Sequence, residues 1–96
     1  MNNFLKELKL TEEQIKDIID NNHEIILEKI KIKQKLIEHN LNFLAEIGIN
    51  NNKDIFAKYP ELFIIEPSIF KNKFASYENE DLVKKLAKNI DAILTL

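Results

Sequence analysis

The sequence contains no cysteine, which excludes disulfide frameworks and thiolate zinc sites and leaves the redox compartment open. A single glycine and two prolines are too little material for a series of hairpin turns, so the composition tilts strongly towards helix. One glycine also rules out a glycine-rich phosphate loop. The longest unbroken apolar run is Leu62-Phe63-Ile64-Ile65, far short of the roughly twenty residues that a membrane-crossing helix needs. The first residues carry Lys6 and Glu7 without an apolar signal core, which points to a cytoplasmic protein. Arginine is missing too, all fourteen basic residues being lysine. Arginine is the usual bidentate reader of guanine and phosphate. Abundant Lys, Asn and Ile without Arg is also what an AT-rich coding sequence produces, so this absence says little about function.

What is present describes one small domain spanning residues 1–96, 45% hydrophobic and 31% charged, with a net charge of −2. Thr11-Glu12-Glu13-Gln14 is a capping-box pattern and predicts a helix over 12–20, after a first short helix ending near Lys9. From Glu24 the pattern is helical for more than twenty residues, up to Gly48, which stands where a helix needs a left-handed terminal residue. A helix over 53–59 follows and stops at Pro60, because the residue before a proline disfavours helix. Pro67 begins another stretch, to about Phe74. The last helix, about 78–96, runs to the end and carries Leu82, Val83, Leu86, Ala87, Ile90, Ile93 and Leu94 on one apolar face. The expected fold class is all-α, a compact single-domain helical bundle of five or six helices.

The chain also repeats itself. Residues 3–10, Asn-Phe-Leu-Lys-Glu-Leu-Lys-Leu, return thirty-nine positions later as Asn-Phe-Leu-Ala-Glu-Ile-Gly-Ile. Lys16-Asp17-Ile18-Ile19 then matches Lys53-Asp54-Ile55-Phe56, and His23-Glu24-Ile25-Ile26-Leu27 matches Pro60-Glu61-Leu62-Phe63-Ile64. These degenerate units, about 3–27 and 42–66, are the signature of stacked helical elements that cannot bury their apolar faces alone. The second unit resembles the helical repeat of mitochondrial transcription termination factors through Leu44, Ile47, Gly48, Ile49, Ile55, Pro60, Leu62 and Phe63. The first unit departs from that pattern, with Lys9 in place of Gly and His23 in place of Pro. The resemblance implies solenoid geometry and nucleic-acid binding in a basic concave groove. Two units are fewer than the roughly three that an open solenoid needs, so a closed bundle is the competing expectation.

Candidate partner-binding residues come from two basic stretches. Lys29, Lys31, Lys33 and Lys35 alternate with Ile30 and Ile32 inside the long helical segment. On a helical wheel Ile26, Ile30, Ile37, Leu41 and Leu44 form one stripe, and Ile25, Ile32, Leu36, Phe43 and Ile47 form a second. Lys29, Lys33 and Asn40 fall between the stripes, where they would line a cleft between two neighbours. The functional reading is a basic groove for phosphate or for an acidic segment. The bland one, favoured here, is that the lysines bury their stems and keep their amines wet. The second set is Lys71, Lys73, Lys84, Lys85 and Lys88, interleaved with Glu78, Glu80, Asp81 and Asp91 and read as a solvated face. Phosphate contacts would require these lysines to gather on one side. Phe70 and Phe74, with Lys71 and Lys73 between them, read as a docking pair in preference to a base-stacking platform.

The histidines, His23 and His39, have no ligand-like spacing, and the carboxylate clusters at helix starts are explained by the helix dipole. No catalytic, cofactor-binding or metal-ligating set emerges, and no enzymatic activity or cofactor is expected. The expected function is a non-catalytic binding or regulatory module, such as a regulator or inhibitor of a larger complex. A protein partner is preferred over nucleic acid because of the acidic balance and mixed charge faces. Nucleic-acid binding through Lys29–Lys35 is the alternative, no membrane association is expected, and homodimerisation through the last helix could accompany either.

Overall fold

Helix boundaries in this chain are set by a few polar side chains. In the computed structural model, which describes residues 2–96, the Gln14 amide donates to Thr11 Oγ1 at 3.1 Å and the Thr11 amide to Gln14 Oε1 at 2.9 Å. This reciprocal cap opens α2 (Glu12–Asn21), which follows a short α1 (Asn2–Glu7). His23 caps α3 (Glu24–Ile32), its Nδ1 accepting from the Ile25 amide at 3.1 Å. Gly48 lies between α4 (Gln34–Glu46) and α5 (Asn52–Lys58), and Pro60 opens a 3-10 turn, Pro60–Phe63. Pro67 takes the first position of α6 (Pro67–Asn72), where a missing amide proton loses no helical bond. α7 (Asn79–Lys88) and a 3-10 segment, Ile90–Thr95, complete the chain. The fold is all-α as expected, with seven α-helices and two 3-10 segments among the described residues where five or six helices were expected.

The repeat survives at the level of individual hydrogen bonds. In the first unit the Lys9 amide donates to Lys6 O at 2.9 Å and the Leu10 amide to Leu5 O at 3.4 Å. The second unit reproduces this thirty-nine residues on, Gly48 to Ala45 O at 3.1 Å and Ile49 to Leu44 O at 2.9 Å. Both are Schellman closures, in which a left-handed residue turns the chain and satisfies the helix's last carbonyls. Gly48 has φ +96° and Lys9 has φ +65°. Lysine therefore adopts the conformation that glycine holds in the other copy, at a cost of about 1–2 kcal/mol for its Cβ. His23 likewise stands in for Pro60: each starts the next helical turn, one by side-chain capping and the other by its ring. The departure at Lys9 leaves the turn unchanged, whereas after His23 a nine-residue α-helix stands where the second unit has a four-residue 3-10 turn.

The two units close on a common core instead of extending as a solenoid. α2 packs against α5, and Gln14 Nε2 donates to Asp54 Oδ1 at 2.6 Å across that contact. The repeat-related pairs Leu5/Leu44, Leu10/Ile49 and Ile18/Ile55 are all buried. A chain of phenylalanines crosses the interior: Phe56 meets Phe63 edge-on at 5.3 Å, Phe63 meets Phe70 at 5.2 Å, and Phe70 meets Phe74 at 5.1 Å. Phe43 completes the cluster, 6.2 Å from Phe70 and 5.9 Å from Phe74. The radius of gyration is 12.8 Å, about what a close-packed domain of this length has.

Two expectations need correction. The long helix from Glu24 to Gly48 is broken at Lys33, which has φ −103° and ψ 35°. In an unbroken helix Lys29/Lys33 and Lys31/Lys35 would be like-charged pairs four residues apart, which weakens it. The break also lets α3 lean on the Pro60–Phe63 turn while α4 packs against α5 and α6. The last helix is likewise interrupted, ending at Lys88, and Asn89 (φ −156°) caps the 3-10 segment by accepting from the Asp91 amide at 3.0 Å.

Candidate functional site

Asparagine side chains pin the scaffold on which any surface site must sit. Asn51 Nδ2 donates to Leu86 O at 2.9 Å, filling a carbonyl of the last turn of α7 that its own helix leaves open. Asn52 Nδ2 donates to Leu41 O at 2.9 Å and ties the start of α5 to α4. Asn40 Nδ2 donates to both Phe63 O at 2.9 Å and Ile65 O at 3.0 Å. Asn40 is fully buried, so its assignment as a partner-contacting residue is wrong. It stays inward because two carbonyls leaving the Pro60–Phe63 turn have no other donor at these positions.

Lys29, Lys31, Lys33 and Lys35 are all exposed and cluster around the bend between α3 and α4. The cleft that Lys29 and Lys33 were expected to line between two neighbours is absent, because the bend turns that side of α3 to solvent. In its place lies a shallow depression of about 420 Å³, lined by Lys31, Ile32, Lys33, Gln34, Lys35, Leu36 and Glu66. The same bend splits the second apolar stripe. Leu36, Phe43 and Ile47 are partly covered, whereas Ile25 and Ile32 are 60% and 66% exposed. Ile25, Lys29 and Ile32 follow one another at i, i+4 and i+7, on a single face of α3.

Phe70 and Phe74 are buried, so their rings dock α6 onto the core and are closed to stacking. Lys71 lies over Phe43, its Nζ 5.6 Å from the ring centroid, and Lys73 is exposed. Lys84, Lys85 and Lys88, read from sequence as part of a charge-cancelled face, gather on one side of α7. With Asp81 they border an open groove of about 710 Å³ whose accessible apolar surface comes from Tyr77 and Ala87. Lys85 Nζ lies 5.8 Å from the Tyr77 ring centroid. The signal for this groove was the spacing Asp81, Lys84, Lys85, Lys88, which is one helical face. It was obscured because Lys71 and Lys73, which do not line the groove, had been grouped with these lysines. The apolar face expected to support dimerisation is largely covered: Leu82 and Leu86 are fully buried and Ile93 nearly so, leaving Ala87 and Leu94 exposed.

A third concavity, about 650 Å³, lies where α2, α5 and the start of the last 3-10 segment meet, and its lining includes Gln14, Asp17, Asp54, Lys58 and Tyr59. Beside it Asp91 Oδ1 accepts from Tyr59 Oη at 2.5 Å and from Lys58 Nζ at 2.7 Å. The hydrogen bond from Lys58 and then that from Tyr59 hold the Asp91 carboxyl below its ordinary value. The bond to Asp91 raises Lys58 above its ordinary value, and the same acceptor raises Tyr59, with partial desolvation adding to it. Each shift moves its group away from neutrality. Among the described residues the ion pairs are Lys58–Asp91 and Lys16–Asp20, so the lysines of the bend and of the α7 groove have no carboxylate partner. No helix among the described residues is long and apolar enough to cross a membrane. Compared with known proteins, the chain matches no family model, no curated protein and no solved structure.

Proposed function

We propose that this chain is a non-catalytic binding module that acts by holding a protein partner against the exposed face of α3. The observation that carries the reading is the exposure of Ile25 and Ile32, at 60% and 66%, on one helical face with Lys29 between them. Covering an isoleucine side chain fully is worth about 1.5–3 kcal/mol, and a phosphate backbone offers no surface with which to cover it. A protein does, and apolar anchors with a charged residue between them are an ordinary form of helix recognition. The polar cleft supports the non-catalytic part of the reading. An acid–base catalyst needs a group poised near neutrality, and Lys58, Tyr59 and Asp91 are each driven the other way.

The second reading, a nucleic-acid-binding module, is favoured by the four lysines at the bend, Lys29, Lys31, Lys33 and Lys35, which have no ion pair among the described residues, and by the termination-factor resemblance. The two separate in one experiment. The tagged chain and an Ile25→Asp/Ile32→Asp variant are used as bait in native extract, each with and without nuclease. The protein reading predicts a partner that survives nuclease and is lost with the variant. A partner that disappears on nuclease treatment and is retained by the variant would replace it with the nucleic-acid reading. Because both positions are exposed, the variant should fold as the parent does, with melting unchanged.

A further inference from the structure

Residues 90–96 are fastened to the rest of the molecule at very few points. Most of their hydrogen bonds stay local: the Ala92 amide donates to Asn89 O at 3.1 Å, the Asp91 amide to Asn89 Oδ1 at 3.0 Å, and Thr95 Oγ1 to Ala92 O at 2.9 Å. Among the described residues, those that cross to another element end on one atom, Asp91 Oδ1, which accepts from Tyr59 Oη and Lys58 Nζ. The segment buries one residue, Ile93, where α4 and α5 bury four each. Its 3-10 hydrogen bonds are also poorer in geometry than α-helical ones. A segment with few buried contacts and one polar junction opens at lower cost than the whole fold.

The neighbouring helices are complete without it. The Asn89 amide closes α7 on Lys85 O at 3.1 Å, and Asn51 holds the last turn of α7 from the start of α5. At Asn89 the backbone is extended, with φ −156° and ψ 110°, so an opening that begins in the 3-10 segment stops there and leaves α7 wound. The segment also forms part of the wall of the 650 Å³ concavity between α2 and α5, through Ile90. Its junction holds two further lining residues, Lys58 and Tyr59. Release of Asp91 therefore moves a wall of that cleft and frees two polar side chains beside it. We infer that residues 90–96 are a strap, latched at Asp91, which opens as one unit and gates the cleft between α2 and α5 while the helices stay folded. The gate does not depend on what α3 binds.

Amide hydrogen exchange of the full chain, read by NMR at several urea concentrations below the unfolding transition, tests the strap. The amides of residues 91–95 should share one protection level, at least about tenfold below that of the α4 core, and should not respond to low urea. The α4 amides should quicken as urea rises. Asp91→Ala removes the acceptor and should lower protection across residues 91–95 together, by about fivefold or more. If that variant loses its fold, Tyr59→Phe removes one of the two donors and should give a smaller loss of the same pattern. The chain has no cysteine, so a single introduced thiol reports on the gate. Ala57, 8% exposed, lines the cleft, and Leu41, 3% exposed, lies in α4 away from it. Labelling of the Ala57→Cys thiol by a small disulfide reagent should be insensitive to low urea, whereas labelling of Leu41→Cys should rise with it. Four results would each overturn the inference: protection at 91–95 that follows the α4 core, protection that declines gradually towards Leu96, folded variants that protect these amides as the parent does, or a thiol at 57 that follows the thiol at 41.

Discussion

Asn40 donates from Nδ2 to the carbonyls of Phe63 and Ile65, while its Oδ1 faces the interior with no donor. The donor half of the amide is therefore the part that matters. Asn40→Asp removes it and places a carboxylate against two carbonyl oxygens, a change that should cost about 3 kcal/mol or more at neutral pH. The deficit should shrink as pH falls, since a protonated carboxyl can donate once. Urea unfolding of parent and variant at two pH values measures both effects, and a pH-independent deficit would show that the carboxylate is not the cause. The left-handed residues make a second prediction. Lys9→Gly should stabilise by about 0.5–1 kcal/mol, by removing the Cβ penalty at φ +65°. Gly48→Ala should destabilise by about 1–2 kcal/mol, because φ is +96° and the new Cβ would meet Val83 Cγ2 at 3.3 Å. Thermal melts of the two variants should move in opposite directions. Gly48 was legible in the sequence as a helix stop because glycine advertises that conformation. Lys9 was not, since its conformation comes from the Schellman bonds that hold it and not from the residue.

At the scale of elements, the asparagine linking α5 to α7 is the most exposed to test. Asn51→Ala leaves Leu86 O without its donor and should cost about 1 kcal/mol. Hydrogen exchange should quicken in the last turn of α7 and stay unchanged in α2. Uniform acceleration would mean that Asn51 supports the whole fold instead of one helix end. Elements with local signals were readable from sequence: the Thr11–Gln14 cap, the Pro60 stop and the Pro67 start each depend on neighbours within four residues. The bend at Lys33 and the break at Asn89 were not. Both flanks of Lys33 have good helical periodicity, and what separates them is competition between packing partners distant in sequence. That one misread bend also decides the site. A straight helix would have left Lys29 and Lys33 lining a cleft, whereas the bent one exposes Ile25 and Ile32. The α7 groove was legible in part, since its lysine spacing is a single helical face. Its apolar floor requires Tyr77 to be brought alongside, which spacing does not reveal.

At the scale of the molecule, the Lys58–Tyr59–Asp91 set joins α5 to the carboxyl-terminal segment and gives stability a defined pH window. Asp91 lies below its ordinary value of 3.8, so its contribution is present above that value and fades as pH falls through the lowered one. Lys58 and Tyr59 lie above their ordinary values of 10.5 and 10.0, so their contributions hold below those values and fade as pH rises through the raised ones. The stability difference between parent and Asp91→Asn should be flat from about pH 5 to about pH 9 and should narrow on both sides. A difference that peaks near pH 7 would point to a histidine instead. The proposal for the whole molecule is that α3 is a protein-binding face. Its most direct test is to place a photo-crosslinking amino acid at position 32 in the native cell, with the same group at exposed Glu13 on α2 as the control. The expected result is a discrete protein adduct at position 32 that is absent at position 13 and unaffected by nuclease. Adducts to nucleic acid at position 32, or the same products from both positions, would contradict it.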